Sequence, residues 1–257
     1  MFLHAAQAAG RENDLIGWSL KAPSPRGVAL LAGLLYLGEG ATSVFGQLIV
    51  PGSLLIAGDP TGTAARILEN ETLLRLGVAA TLLSVAFFIA ETAAFASLFG
   101  PIGRGPVQLF VFFSITAIGL SAVAALLEMA PLTLLRSRDL AALGDEQRAA
   151  FAVLFVRLSA QTMDVFLVLF GFRCIALGYL VVRSSFMPRL IGGLLMLAGA
   201  AYLPNLWPPL VTAITPFNLV LALGELALVV WLLVRGVDNA RWRAQAAATD
   251  QGAFGSA

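Results

Sequence analysis

The segment from Phe151 to Val182, FAVLFVRLSAQTMDVFLVLFGFRCIALGYLVV, constrains this chain more than any other. It is long enough to cross a bilayer, for which ~20 apolar residues suffice. It also carries Arg157, Gln161, Asp164 and Arg173. A charge near the centre of a span costs roughly 2.5–3.5 kcal/mol, while each Leu, Phe or Val returns only about 0.3–0.6. Such a helix is stable when its charges face protein groups or water inside a bundle. Arg157, Gln161 and Asp164 follow i, i+4, i+7 spacing and share one face. Arg173 lies about 180° round the helix from Asp164, at 100° per residue. The helix is therefore expected to be central, with polar contacts on two sides.

The rest of the chain agrees with a membrane setting. Of its 257 residues, 59% are hydrophobic and only 12% are charged, about half the charged share of a soluble domain. Several apolar runs reach spanning length, so the expected fold is all-α: a polytopic transmembrane helix bundle of about six spans. A β-barrel would show short alternating segments instead. The net charge of +1 argues against nucleic acid as a partner, because that calls for a basic patch. Cys174 is the only cysteine, so no internal disulfide can form. The bilayer is the main expected partner, and no cleavable signal is evident.

In chain order, 1–26 reads as an N-terminal tail, 27–236 as the six-helix membrane domain and 237–257 as a C-terminal tail. Span one, about 27–50, places Glu39 near mid-membrane. Its Gly40, Ser43 and Gly46 form a small-residue face, and Pro51 is expected to end it. In the connection 52–71, Asp59 or Thr61 can cap a short helix that starts near Pro60. One face of that helix carries Ala64, Ile67 and Leu68, suited to a membrane surface or to capping the bundle. Span two, about 72–98, has Glu91 in its inner half. Span three, about 107–134, has Glu128 near its outer end and Pro131 to bend or end it. After span four come a short span five, about 190–203, and span six, about 216–234, with Glu225 near mid-membrane. Nine basic residues (Arg11, Lys21, Arg26, Arg104, Arg183, Arg189, Arg235, Arg241 and Arg243) fall on the side of the tails. Five (Arg66, Arg75, Arg136, Arg138 and Arg148) fall on the other. This bias favours both termini in the cytoplasm.

Three stretches carry a resemblance: GDPTGTAARILENETLLRLG, GYLVVRSSFMPRLIGGLLMLAGAAYL and GELALVVWLLVRGV. In their order and position relative to the spans, they resemble a bacterial membrane family known as domain-of-unknown-function family 4386. The resemblance covers roughly Arg26 to Val237. It implies six or so helices in a bacterial inner membrane and brings no established activity. It also implies Asp59, Asn70, Arg75, Tyr179, Ser184, Pro188, Gly192, Tyr202, Glu225 and Trp231 as family-type positions. At position 173, where the family implies histidine, this chain has Arg173.

Much chemistry lacks its residues, and no cofactor and no metal is expected. The one histidine, His4, lies in the tail, so haem has no ligand pair within the bundle. Zinc would need a Cys/His cluster. The one lysine, Lys21, lies outside the spans, which removes a retinal-type Schiff base. No GxSxG elbow and no P-loop is present. What remains is five intramembrane acids (Glu39, Glu91, Glu128, Asp164 and Glu225) against two bases, Arg157 and Arg173. By depth alone, Glu128 is expected to pair with Arg157, and Glu91 with Arg173, chiefly as structural links between helices. Glu39, Asp164 and Glu225, with Gln161 beside them, are expected to converge at the midplane.

Three classes of function follow. In the first, the converging carboxylates bind or translocate a small cationic or amphipathic ligand, or protons. In the second, the protein is structural or regulatory, and its charges only specify helix pairing. In the third, it is an enzyme acting on a lipid-like substrate with carboxylates as acid and base. The pocket reading is preferred, and the enzyme is placed last.

Overall fold

The structure is a computed structural model, and it describes residues 24–140, 142–207 and 223–254. His4, Lys21 and the first part of the expected sixth span, 216–222, lie outside the described residues. Among these residues the chain is helical without strands. The helices are α1 (Pro25–Leu54), α2 (Pro60–Glu69), α3 (Glu71–Phe99), α4 (Arg104–Arg136), α5 (Asp145–Arg183), α6 (Arg189–Tyr202), α7 (Leu223–Val234) and α8 (Asn239–Phe254). Five helices are long and apolar enough to cross a membrane, with short 3-10 turns extending α3 to Ile102 and α6 to Leu206; α7 is a shorter apolar helix. The protein is a multi-pass membrane helix bundle.

Successive long helices pack as neighbours, α1 on α3, α3 on α4, α4 on α5 and α5 on α6. The ring closes through α7. Gly224 of α7 lies against the Leu194 carbonyl of α6, and Gly33 of α1 lies against Leu232 and Leu233 of α7. Two close crossings come from glycine spacing. Gly171 and Gly178 on α5 are seven residues apart, as are Gly192 and Gly199 on α6. A Cβ on Gly178 would sit 2.6 Å from the Gly192 carbonyl oxygen, and one on Gly171 would sit 2.6 Å from that of Gly199. Small residues thus let the two backbones touch, which is how helices associate where lipid removes the hydrophobic drive. Inside the ring, Tyr36, Phe88, Phe95, Phe110, Phe166 and Phe170 fill the core. Leu126 and Leu190 face outward, 71% and 74% exposed, as lipid-facing side chains do.

Pro51 behaves differently from expectation. Span one does not end at Pro51; α1 continues to Leu54, with a π-helical stretch at Val44–Ile49 just before the proline. Proline has no N–H and clashes with the carbonyl four residues back, and a wider turn absorbs that misfit. Gly46 in this stretch touches α3, where its Cβ would lie 2.6 Å from the Gly77 carbonyl oxygen. Gly40 does not join this contact, since nothing lies within 4 Å of its Cβ position. Pro131 sits inside α4, which runs on to Arg136.

The connection helix α2 forms over Pro60–Glu69. The Asp59 carboxylate accepts from the Gly62 N–H at 2.8 Å, with Pro60 in the first turn. Its Thr63, Ala64 and Ile67 are buried, and it packs chiefly on α5. At the opposite end, α8 lies across the bundle: Trp242 Nε1 donates to the Leu98 carbonyl at 2.7 Å, and Thr249 Oγ1 donates to the Pro101 carbonyl at 2.8 Å. We call these the cap end, with α2, and the basic end, where Arg26, Arg104, Arg183, Arg189 and Arg235 start or close the helices.

Candidate functional site

Depth along each helix sorts the polar residues into two levels. Measured from the basic end at about 1.5 Å per residue, Glu91, Glu225, Arg173 and Glu39 lie about 12, 14, 15 and 21 Å deep. On the same scale Asp164, Gln47 and Glu128 lie about 28, 33 and 36 Å deep, close to the far edge of a ~30 Å hydrocarbon core.

The first level is a cluster around Arg173, whose side chain is 0% exposed. It forms an ion pair with Glu91, equally buried, through its Nη2 and the Glu91 Oε1. Four ring centroids surround the guanidinium carbon: Phe88 at 4.7 Å, Tyr36 and Phe170 at 5.1 Å, and Phe110 at 5.5 Å. Aromatic faces attract a cation most strongly when it is desolvated, so this box offsets part of the cost of burying the charge. Arg173 Nε and Nη1, and Glu91 Oε2, have no hydrogen-bond partner among the described residues. Glu225 is held by two phenols: Tyr36 donates to its Oε2 at 2.7 Å and Tyr202 to its Oε1 at 2.6 Å. Glu39 is buried, 6% exposed, and lies within electrostatic reach of Arg173 and Glu225. The five long helices and α7 each contribute a side chain here: Tyr36 and Glu39 (α1), Phe88 and Glu91 (α3), Phe110 (α4), Phe170 and Arg173 (α5), Tyr202 (α6) and Glu225 (α7).

The second level is a cavity of about 340 Å³ at the cap end, lined by residues of α1, α2, α3, α4 and α5. Its walls are mostly apolar, with Leu54, Ile67, Leu74, Pro131 and Met163 among them. Its polar side chains include Gln47, Glu128, Ser159 and Asp164, and among the described residues no arginine or lysine lines it. Glu128, 7% exposed, accepts a hydrogen bond from Thr81 Oγ1 at 3.1 Å. Gln47 donates to Ser121 Oγ at 2.9 Å and accepts from Ser43 Oγ at 3.0 Å. It sits within the π-helical stretch of α1, a local geometry frequent at functional sites.

Residues 31–236 match the family described as Domain of unknown function (DUF4386). The chain belongs to this family. No curated protein and no solved structure matches it.

In this DUF4386 member the expected midplane trio is divided. Glu39 and Glu225 share the Arg173 cluster, whereas Asp164 lines the cap-end cavity with Glu128. The reason is the length of α5. It runs unbroken for 39 residues, about 58 Å at 1.5 Å per residue, so Asp164 is carried well above the midplane. Arg157 lies about 39 Å deep on the same scale, near the level of Glu128, but its side chain is turned outward, and the expected Glu128–Arg157 pair does not form. Arg157 is exposed, and among the described residues it makes no ion pair. Gln161 is exposed one turn before Asp164 and does not line the cavity.

Sequence reasoning missed three participants. Tyr36 went unremarked and Tyr202 entered only as a family-type position, yet both hydroxyls hold Glu225. A signal existed for Tyr36, which precedes Glu39 by three residues and so shares its helix face. Gln47 was also missed, because its approach to Ser121 depends on the π-helical stretch, which shifts the helix register.

Proposed function

We propose that this protein is a bacterial inner-membrane pocket protein that binds, and in turn can pass across the bilayer, a small amphipathic cation. The observation that carries this reading is the cap-end cavity, where Glu128 and Asp164 line apolar walls with no cationic side chain among the described residues. Its volume falls at the lower end of the range for small-molecule sites, and few polar groups in an apolar pocket is their usual composition. A carboxylate without an arginine partner calls for a proton or a ligand cation. Glu128 is the anchor, oriented by Thr81, and Asp164 supplies the second acid. Gln47 offers an amide, and α2, fixed by its Asp59 cap, closes the pocket. Glu39 and Glu225 stand outside the pocket in this reading.

Both termini are assigned to the cytoplasm, supported by the arginines at the basic end. The pocket then faces the outer half of the membrane. The helix-pairing reading is favoured only by the Arg173–Glu91 pair; it offers no role for two acids lining a cavity.

A thermal-shift titration with benzyltrimethylammonium tests the proposal, since a ligand that binds only the folded state raises its stability. The wild type is expected to gain stability with concentration, and Glu128→Gln/Asp164→Asn to gain none. An equal response in both, or no response in the wild type, defeats the proposal.

A further inference from the structure

At the basic end, α7 stops at a glycine and the chain folds back. Gly236 adopts φ +65°, the left-handed conformation in which helices commonly end and which glycine takes without strain. Two residues later the Asp238 carboxylate caps α8, accepting from the Ala240 and Arg241 N–H groups at 2.9 and 3.1 Å. The Asp238 N–H donates to the Phe186 carbonyl at 3.4 Å, which ties this turn to the one joining α5 and α6. Residues of the two turns line a cleft of about 500 Å³. Phe186, Met187 and Val237, all buried, give it apolar walls. Ser185, Trp231, Arg235, Asp238 and Arg241 supply its polar side chains.

The charges lining this cleft do not balance. Arg241 is shared with Asp238, its Nε 3.4 Å from the carboxylate. Arg235 is exposed and makes no ion pair among the described residues. Two guanidiniums against one carboxylate leave one positive charge. Trp231 precedes Arg235 by four residues and shares its helix face. Its indole Nε1 is buried without an acceptor among the described residues, and a buried donor left unpaired is costly. Positive charge and donors thus stand beside apolar surface at the end of the bundle, the level at which tryptophan and arginine meet lipid headgroups. Guanidinium groups hold phosphate in a two-pronged geometry, and basic pockets between membrane helices suit anionic headgroups.

We propose that this cleft, separate from the cap-end cavity, binds the phosphate of an anionic membrane lipid, with Arg235 as its main partner and Arg241 as the second. A phosphate diester carries one negative charge, which matches the excess in the cleft. A zwitterionic headgroup cancels that charge within itself and gains less. Free phosphate would meet the same guanidiniums but leave the walls of Phe186, Met187 and Val237 uncovered, whereas a lipid lays its glycerol and the start of its chains against them.

Native mass spectrometry of the full chain in detergent, titrated with dioleoylphosphatidylglycerol or dioleoylphosphatidylcholine, tests this through the first lipid bound. The wild type is expected to bind the phosphatidylglycerol more tightly than the phosphatidylcholine. Arg235→Gln/Arg241→Gln should weaken phosphatidylglycerol binding about tenfold and leave phosphatidylcholine binding unchanged. Arg235→Gln alone should weaken it severalfold, and it guards against a loosened α8 in the double variant. Arg104→Gln, at the same end but outside the cleft, should bind as the wild type does. Equal binding of the two lipids by the wild type overturns the proposal, as does wild-type binding in the double variant or an equal loss in Arg104→Gln. Displacement of the phosphatidylglycerol by excess inorganic phosphate overturns the choice of a lipid.

Discussion

The mid-membrane cluster and the cap-end cavity use the same residue types to opposite ends. In the cluster, acids meet a guanidinium, two phenols and a box of aromatic rings, and the five long helices and α7 all contribute. In the cavity, Glu128 has one hydroxyl donor and Asp164 has no hydrogen bond among the described residues, with open volume between them. Burying charge is tolerable only when partners replace water. The cluster's acids are therefore tied to neighbouring helices, whereas the cavity's acids keep few partners among the described residues, as the proposed function requires. The close Gly crossings of α5 and α6 flank the first region; the π-helical stretch and the α2 cap flank the second.

This contrast can be broken by substitution, and the largest effect belongs to the cluster. Arg173→Leu leaves Glu91 buried without its partner and should cost about 3–5 kcal/mol, the usual penalty for breaking a buried pair. Unfolding in detergent should show it as a large fall in the midpoint. Glu91→Leu/Arg173→Leu should lose less than the single variant, because no partner of the pair is then stranded.

A smaller loss is expected at the α5–α6 crossing. Gly178→Ala places a methyl against the Gly192 carbonyl and should cost about 1–3 kcal/mol by overpacking. Gly193→Ala, beside Gly192 on α6 with nothing within 4 Å, should stay within about 0.5 kcal/mol of the wild type. Equal effects at both positions would remove the argument for backbone contact.

At the cap, Asp59→Ala should cost about 1 kcal/mol, and limited proteolysis should find α2 more readily cut. The smallest stability change belongs to the cavity acids. Asp164→Asn should leave the unfolding midpoint close to that of the wild type while weakening binding of an amphipathic cation about tenfold, a change worth ~1.4 kcal/mol.

The bundle itself was legible in the sequence, because a run such as 151–182 has few stable settings other than a membrane interior. The site was legible in part. Depth estimates put Glu91 and Arg173 at a similar level because both lie within about a dozen residues of a clear helix end at the basic side. They misplaced Asp164 because α5 carries no proline or glycine break between Asp145 and Phe170 to mark where the membrane begins, and they could not show that Arg157 faces outward. Glu128 was located correctly near the cap end, but its partner is Thr81, a threonine that looks like any other small polar residue in a span. The tyrosine clamp on Glu225 depends on α1, α6 and α7 meeting in space, which no local spacing encodes. The Gly171/Gly178 and Gly192/Gly199 spacings, two matching sevens, went unused in the sequence reading, yet they mark a close backbone crossing.

The most direct measurement is native mass spectrometry of the protein released from its own membrane, comparing the wild type with Glu128→Gln and Glu225→Gln. A small cationic molecule bound to the wild type, lost from Glu128→Gln and retained by Glu225→Gln, is the result expected if the cavity receives the ligand and the cluster holds the helices. A molecule retained by Glu128→Gln and lost from Glu225→Gln, or a wild type with no bound molecule, would contradict that division.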